Sequence, residues 1–127
     1  MSCRSPSGDA APNLEWVDGP RFDAEVLPAS GRVVVLLWAG WSSPDRMLQL
    51  WLREHAADWP EVKFVILDVE QSPEVAHRFQ CYTMPTTLAF EGGKLVGRLD
   101  GLPGYDQDSR VRAFDRLTGR AGTPPAG

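Results

Sequence analysis

The 127-residue chain carries two thiols, Cys3 and Cys81. They lie far apart in sequence, so no Cys-x-x-Cys pair exists, and neither a dithiol redox couple nor a zinc cluster of ordinary ligand spacing can be drawn from them. The other candidate for chemistry is Ser42-Ser43-Pro44-Asp45, which follows the apolar run Val33–Trp38 through Ala39, Gly40 and Trp41. Ser43 suits an N-cap and Pro44 a first helical position, while Asp45 puts negative charge on the positive end of a helix dipole. That dipole stabilises a negative charge by at most about 2 kcal/mol, or roughly 1.5 pK units. Such a shift poises a thiol, but it is far too small to ionise the Ser42 hydroxyl. Asp45 is stabilised in its ionised form there and reads as a helix stabiliser without a catalytic task. His55 lies on the apolar face of the same helix and reads as a packed histidine.

The elements that position these residues follow from apolar periodicity. Residues 1–13, rich in Ser, Pro, Gly and Ala, read as a disordered tail in which Cys3 is exposed. Leu14–Val17 alternates as a short strand, and Phe22–Leu27 forms about two helical turns before Pro28. The run Val33–Trp38 is unbroken and rich in β-branched residues, which predicts a central parallel strand covered on both faces. The helix opened by Ser43-Pro44-Asp45 extends to about Asp58. Its inward face is Leu48, Trp51, Leu52, His55, Ala56 and Trp59. Val62–Val69 is a second buried strand. Ser72-Pro73-Glu74 then repeats the Ser-Pro-acid helix opening, so Ser-Pro-Asp at 43–45 is also simply a good helix start. Thr87–Phe90 and Leu95–Leu99 flank the turn Glu91-Gly92-Gly93-Lys94 as a hairpin. Asp106–Leu117 is an amphipathic terminal helix with Val111, Phe114 and Leu117 inward, and residues 119–127 read as a flexible tail or linker. The single folded domain spans 14–118. Right-handed crossover makes the two core strands parallel neighbours, and the hairpin lies antiparallel at one side.

Composition sets outer bounds. Hydrophobic residues make up 43% and charged residues 24%, an ordinary globular balance for one domain. A net charge of −4 offers no basic excess to neutralise phosphates, which argues against a nucleic-acid partner. No apolar run approaches membrane-spanning length and no apolar leader follows Met1. A cytoplasmic chain with no membrane partner is therefore expected, and no cofactor or metal is implied by the residues.

The segment Trp38-Ala39-Gly40-Trp41-Ser42-Ser43-Pro44-Asp45 resembles the active-site segment of the thioredoxins, Trp-Ala-x-Trp-Cys-Gly-Pro-Cys. The resemblance covers roughly residues 14–118. It implies a thioredoxin fold: an α/β domain whose central mixed sheet is flanked by helices, with a cis-proline loop at Met84-Pro85-Thr86. By the same resemblance, Ser42 and Asp45 stand where the attacking and resolving cysteines would be. Leu36 stands at the family's buried proton-acceptor aspartate, and Ile66 at the lysine commonly beside it. Both sulfurs, the acceptor and its charged neighbour are thus replaced together, and serine cannot enter an exchange that passes through a mixed disulfide. Cys81 aligns with an apolar core position and reads as a small buried hydrophobe.

The groove's walls are retained. The resemblance assigns them to Trp41, Ser42, Ser43, Pro44, Met84, Pro85, Gly101 and Leu102, with Asp100-Gly101-Leu102 completing a peptide-binding groove. The implied function is a redox-inactive interaction module holding an extended protein or peptide partner. The competing reading is a thiol–disulfide oxidoreductase using a single thiol, at Cys81 or Cys3, in an atypical geometry. Ser72–Phe79, the Met-Pro-Thr loop and Gly97–Gly101 are further similar to the amino-terminal thioredoxin-like domain of multidomain monothiol glutaredoxins of the PICOT type. That family acts in cytosolic and nuclear iron–sulfur handling, which implies an adjoining glutaredoxin domain and adds the nucleus to the expected compartments. Without a correctly placed thiolate, iron–sulfur ligation by this chain itself is not expected.

Overall fold

The computed structural model describes residues 12–40, 43–104 and 106–119, with the backbone alone described for residues 43–45. Five strands form one sheet in the order β1-β3-β2-β4-β5: β1 (Leu14–Val17), β2 (Arg32–Trp38), β3 (Lys63–Asp68), β4 (Thr86–Glu91) and β5 (Lys94–Asp100). The first three are parallel, and the β4–β5 hairpin runs antiparallel beside β2. Helices α1 (Gly19–Arg21), α2 (Ser43–His55), α3 (Pro73–Arg78) and α4 (Gln107–Thr118) cover the two faces. The element order and the pairing of β2 with β3 are those expected from the hydrophobic pattern.

The unbroken apolar run of β2 has the expected cause. Alternate side chains point to opposite faces, and both faces are covered. Val34 and Leu36 join Leu48, Trp51, Leu52, Trp59, Phe64, Ile66 and Phe114 in one cluster under α2 and α4. Val33, Val35 and Leu37 join Phe22, Val26, Val65, Val75, Leu88 and Phe90 in the other, under α1 and α3. In α2 the buried positions Leu48, Trp51 and Leu52 fall on the stripe that periodicity assigned inward, continued by Ala56 and Trp59. The two indoles also carry polar edges that need partners. Trp51 Nε1 donates to Gln107 Oε1 at 2.9 Å and Trp59 Nε1 to Asp115 Oδ1 at 2.8 Å, tying α2 and its end to α4. His55 stacks on Trp51 with ring centroids 4.6 Å apart, a packed histidine.

Several boundaries differ from the sequence expectation for local reasons. The first helical segment starts at Gly19 rather than Phe22, because Asp18 caps it by accepting from Arg21 N and Pro20 fits the first turn. It continues as a π-helical turn through Phe22–Val26. The helix α2 already includes Ser43 and stops at His55, with a 3₁₀ turn over Ala56–Asp58. Ser72 does not cap α3. Its side chain makes no capping bond there, and its Oγ instead accepts from Gly19 N at 2.9 Å, binding α1 to the start of α3. Asn13, assigned above to the tail, is part of the fold, since Phe64 N donates to its carbonyl at 2.7 Å. Of the two tails, residues 1–11 and 120–127 lie outside the described residues. Among the described residues no helix is long and apolar enough to cross a membrane.

Candidate functional site

Because β1, β2, β3 and β5 share one direction, their C-terminal ends meet at one end of the sheet, where β4 begins. The chain leaves β2 there and enters α2 through Ala39 and Gly40. Two bonds fix this exit. Val69 N donates to Trp38 O at 3.0 Å, and Arg46 Nη1 donates to Gly40 O at 2.9 Å. Trp38 meets Trp16 edge-on, with ring centroids 5.5 Å apart.

The approach to β4 comes to the same end of the sheet. The Met84–Pro85 peptide bond is cis. Pro85 is buried and Met84 half-buried, packed against the α1/α3 cluster. The Thr86 hydroxyl donates to Thr83 O and closes the loop on itself. The exit from β5 lies there too. Gly101 takes φ +86°, a conformation glycine reaches without a Cβ clash, and its N–H donates to Pro85 O at 2.7 Å. Leu102 then turns back against the α2/α4 cluster. Register confirms the neighbourhood, since Thr86 lies opposite both Leu37 and Asp100.

The structure therefore brings Met84, Pro85, Gly101 and Leu102 to the end of the sheet at which α2 starts. Trp41 and Ser42 lie outside the described residues. Ser43, Pro44 and Asp45 form the first helical positions of α2, and their side chains lie outside the described residues too.

Beneath the site, one row of residues crosses the sheet on the α2 side. Ile66, Leu36 and Thr87 are successive register partners, all fully buried. Leu36 and Ile66 are thus neighbours in space, as the resemblance implies for the two residues they replace. The Thr87 hydroxyl finds no hydrogen-bond partner among the described residues. Cys81 lies on the other side of the sheet. It is 2% exposed within the α1/α3 cluster, and its Sγ donates a long bond to Phe79 O at 3.6 Å. Burial raises its thiol pKa, with Asp100 adding to the rise and Arg98 opposing it. A thiol so placed is mostly protonated at neutral pH and screened from other sulfurs. Among the described residues no group of three or more His, Cys, Asp or Glu is arranged to hold a metal ion.

Two residues near the site were not legible beforehand. Thr87 carries no local mark, and only strand register sets it beside Leu36. Arg98 appears as an ordinary exposed residue of a hairpin. In the fold its guanidinium reaches Phe79 O, Gln80 O and Asp100.

The thioredoxin family model matches residues 14–110, and the chain belongs to that family. Thioredoxin from Chlamydia muridarum is 39% identical over 88 residues, covering 69% of this chain and 84% of that protein. Human glutaredoxin-3 is 35% identical over 86 residues, which cover 68% of this chain but 26% of the longer protein. The bifunctional thioredoxin reductase/thioredoxin of Mycobacterium leprae is 35% identical over 97 residues, 76% of this chain and 21% of its own length. Among solved structures, oxidised mitochondrial thioredoxin 3 from Saccharomyces cerevisiae superposes with a TM-score of 0.68 at 23% identity, over 84% of this chain and 93% of that one. The thioredoxin fold is thereby shown, a mixed five-stranded sheet flanked by helices.

Proposed function

We propose that this chain is a thioredoxin-like domain that grips an extended segment of a partner protein without exchanging electrons with it. The observation that carries this reading is the bond from Gly101 N to Pro85 O, which holds the two loops together at the end of the sheet where α2 starts, in a chain whose sequence has Ser42 and Asp45 where the family has cysteines. Disulfide exchange needs a thiolate to attack sulfur. An alcohol and a carboxylate supply neither partner. Cys81, the one cysteine among the described residues, is buried and its pKa is raised. The partner lies along Met84, Pro85, Gly101 and Leu102, and the family resemblance assigns Trp41, Ser42, Ser43 and Pro44 to the same groove.

The reading is tested with reduced, alkylated insulin B chain as an extended probe. Amide shifts are expected to move at Met84, Gly101 and Leu102, while the dithiothreitol-driven reduction of intact insulin stays at its uncatalysed rate. Shifts confined to other surfaces would overturn the groove. Catalysed reduction that disappears in Cys81→Ser would install the monothiol oxidoreductase in its place. A finer assignment, to the thioredoxin-like part of a multidomain monothiol glutaredoxin, is supported by the 35% identity with human glutaredoxin-3. A reading frame that places a Cys-Gly-Phe-Ser domain beside this one is its test.

A further inference from the structure

Arg98 lies on β5, two residues before Asp100. Its Nη1 donates to Phe79 O at 2.6 Å and its Nη2 to Gln80 O at 2.9 Å. Its Nε donates to Asp100 Oδ1 at 3.0 Å. One guanidinium thus spans two consecutive carbonyls at the exit of α3 and the carboxylate that precedes Gly101. The carbonyls belong to a turn that needs support, for Gln80 takes φ +55°, a left-handed conformation unusual for a residue with a Cβ. From that turn the chain passes through Cys81 to Met84 and Pro85. On the other side Asp100 pairs with Thr86 in register, and Gly101 bonds to Pro85.

We propose that Arg98 is the positioning residue of the groove, clamping segment 79–85 against segment 100–102 so that its two walls keep their spacing. This rests on the reading of Met84, Pro85, Gly101 and Leu102 as the partner's site. Arginine is required by geometry. Its planar fork presents parallel donors to adjacent carbonyls and a third to the carboxylate, all charge-assisted, whereas lysine is a flexible point charge. The side chain is 33% exposed and stands on an edge strand, outside both buried clusters. Its loss therefore opens the segment locally and leaves the fold standing.

Cys81 reports on that opening, because it is buried inside the clamped segment. In a Cys3→Ser background, Arg98→Met is expected to speed the reaction of Cys81 with Ellman's reagent about tenfold, at a rate insensitive to low urea. Arg98→Lys is expected to recover part of the protection. Affinity for reduced, alkylated insulin B chain falls about tenfold in Arg98→Met, while the urea midpoint moves little. Unchanged Cys81 reactivity, or acceleration that tracks global unfolding through its urea dependence, would overturn the clamp. The thiol measurement needs no peptide. Failure of the parent to bind the B chain would therefore remove Arg98's part in a groove even where the clamp itself is confirmed.

Discussion

Leu36 and Ile66 face one another in parallel register at the centre of the sheet, both fully excluded from solvent, in the cluster beneath α2. Two aliphatic side chains therefore occupy the floor of the site where the family resemblance implies a proton acceptor and its charged neighbour. The departure from the family's residues thus includes core positions as well as Ser42 and Asp45. Among the described residues, a carboxylate placed at position 36 would have the Thr87 hydroxyl as its register partner's polar group, and its other partner, Ile66, is aliphatic.

Leu36→Asp is accordingly expected to lower stability by about 3 kcal/mol or more at pH 7, since an unpaired buried charge is among the costliest substitutions. Urea unfolding measures it. A change under about 1 kcal/mol would mean that water or a cation reaches the floor of the site.

Ser42→Cys combined with Asp45→Cys gives the chain a Cys-x-x-Cys pair at the positions where the family pattern has it. The helix N-terminus lowers a thiol pKa, and the double variant is expected to accelerate insulin reduction by dithiothreitol above the parent. If the variant folds and gives the uncatalysed rate, the scaffold itself has lost the geometry for exchange.

Thr87 is fully buried, and its hydroxyl lacks a partner among the described residues. An unsatisfied buried polar group destabilises, whereas an apolar isostere does not. Thr87→Val is expected to gain about 1 kcal/mol in urea unfolding. A loss of similar size would reveal a partner for the hydroxyl.

Asn13 Nδ2 donates to Ala56 O, Trp59 O and Val62 O at 3.0, 3.0 and 2.9 Å. One amide thus ties the 3₁₀ turn after α2 to the segment that enters β3. Asn13→Ala is expected to cost about 2 kcal/mol, at roughly 1 kcal/mol for each of the two N–H donors that the three carbonyls share. Asn13→Asp, which aims oxygens at oxygens, should cost at least as much. Thermal or urea unfolding of the two variants decides this, and equal stability of Asn13→Ala and parent would remove Asn13 from the framework.

Burial raises the Cys81 thiol pKa above its ordinary value. The folded state then keeps a proton that the unfolded chain releases. Stability linked to this group is fully present below the unfolded pKa, near 8.5–9, and is lost as pH rises through the folded value. Comparing Cys3→Ser with Cys3→Ser/Cys81→Ala by urea unfolding between pH 7 and 10.5 should show the steeper alkaline loss in the chain that retains Cys81. Parallel pH profiles would place the thiol in water.

The hydrophobic pattern by itself determined which segments are strands and helices and in what order. Those choices are local: the apolar run 33–37, opened by three β-branched valines, favours a covered strand, and the stripe from Leu48 through Trp59 favours a helix packed on one face. The sequence also shows that oxygen-bearing residues, Ser42 and Asp45, stand where the family pattern has cysteines. Caps that look alike in sequence could not be told apart, and Ser72 turned out to serve Gly19 rather than its own helix. Tertiary structure alone decided the meetings across distance: Gly101 with Pro85, Leu36 with Ile66 and Thr87, Asn13 with three carbonyls, Arg98 with the end of α3. Strand register and backbone approach set those contacts, and neither leaves a mark on the periodicity of any one segment.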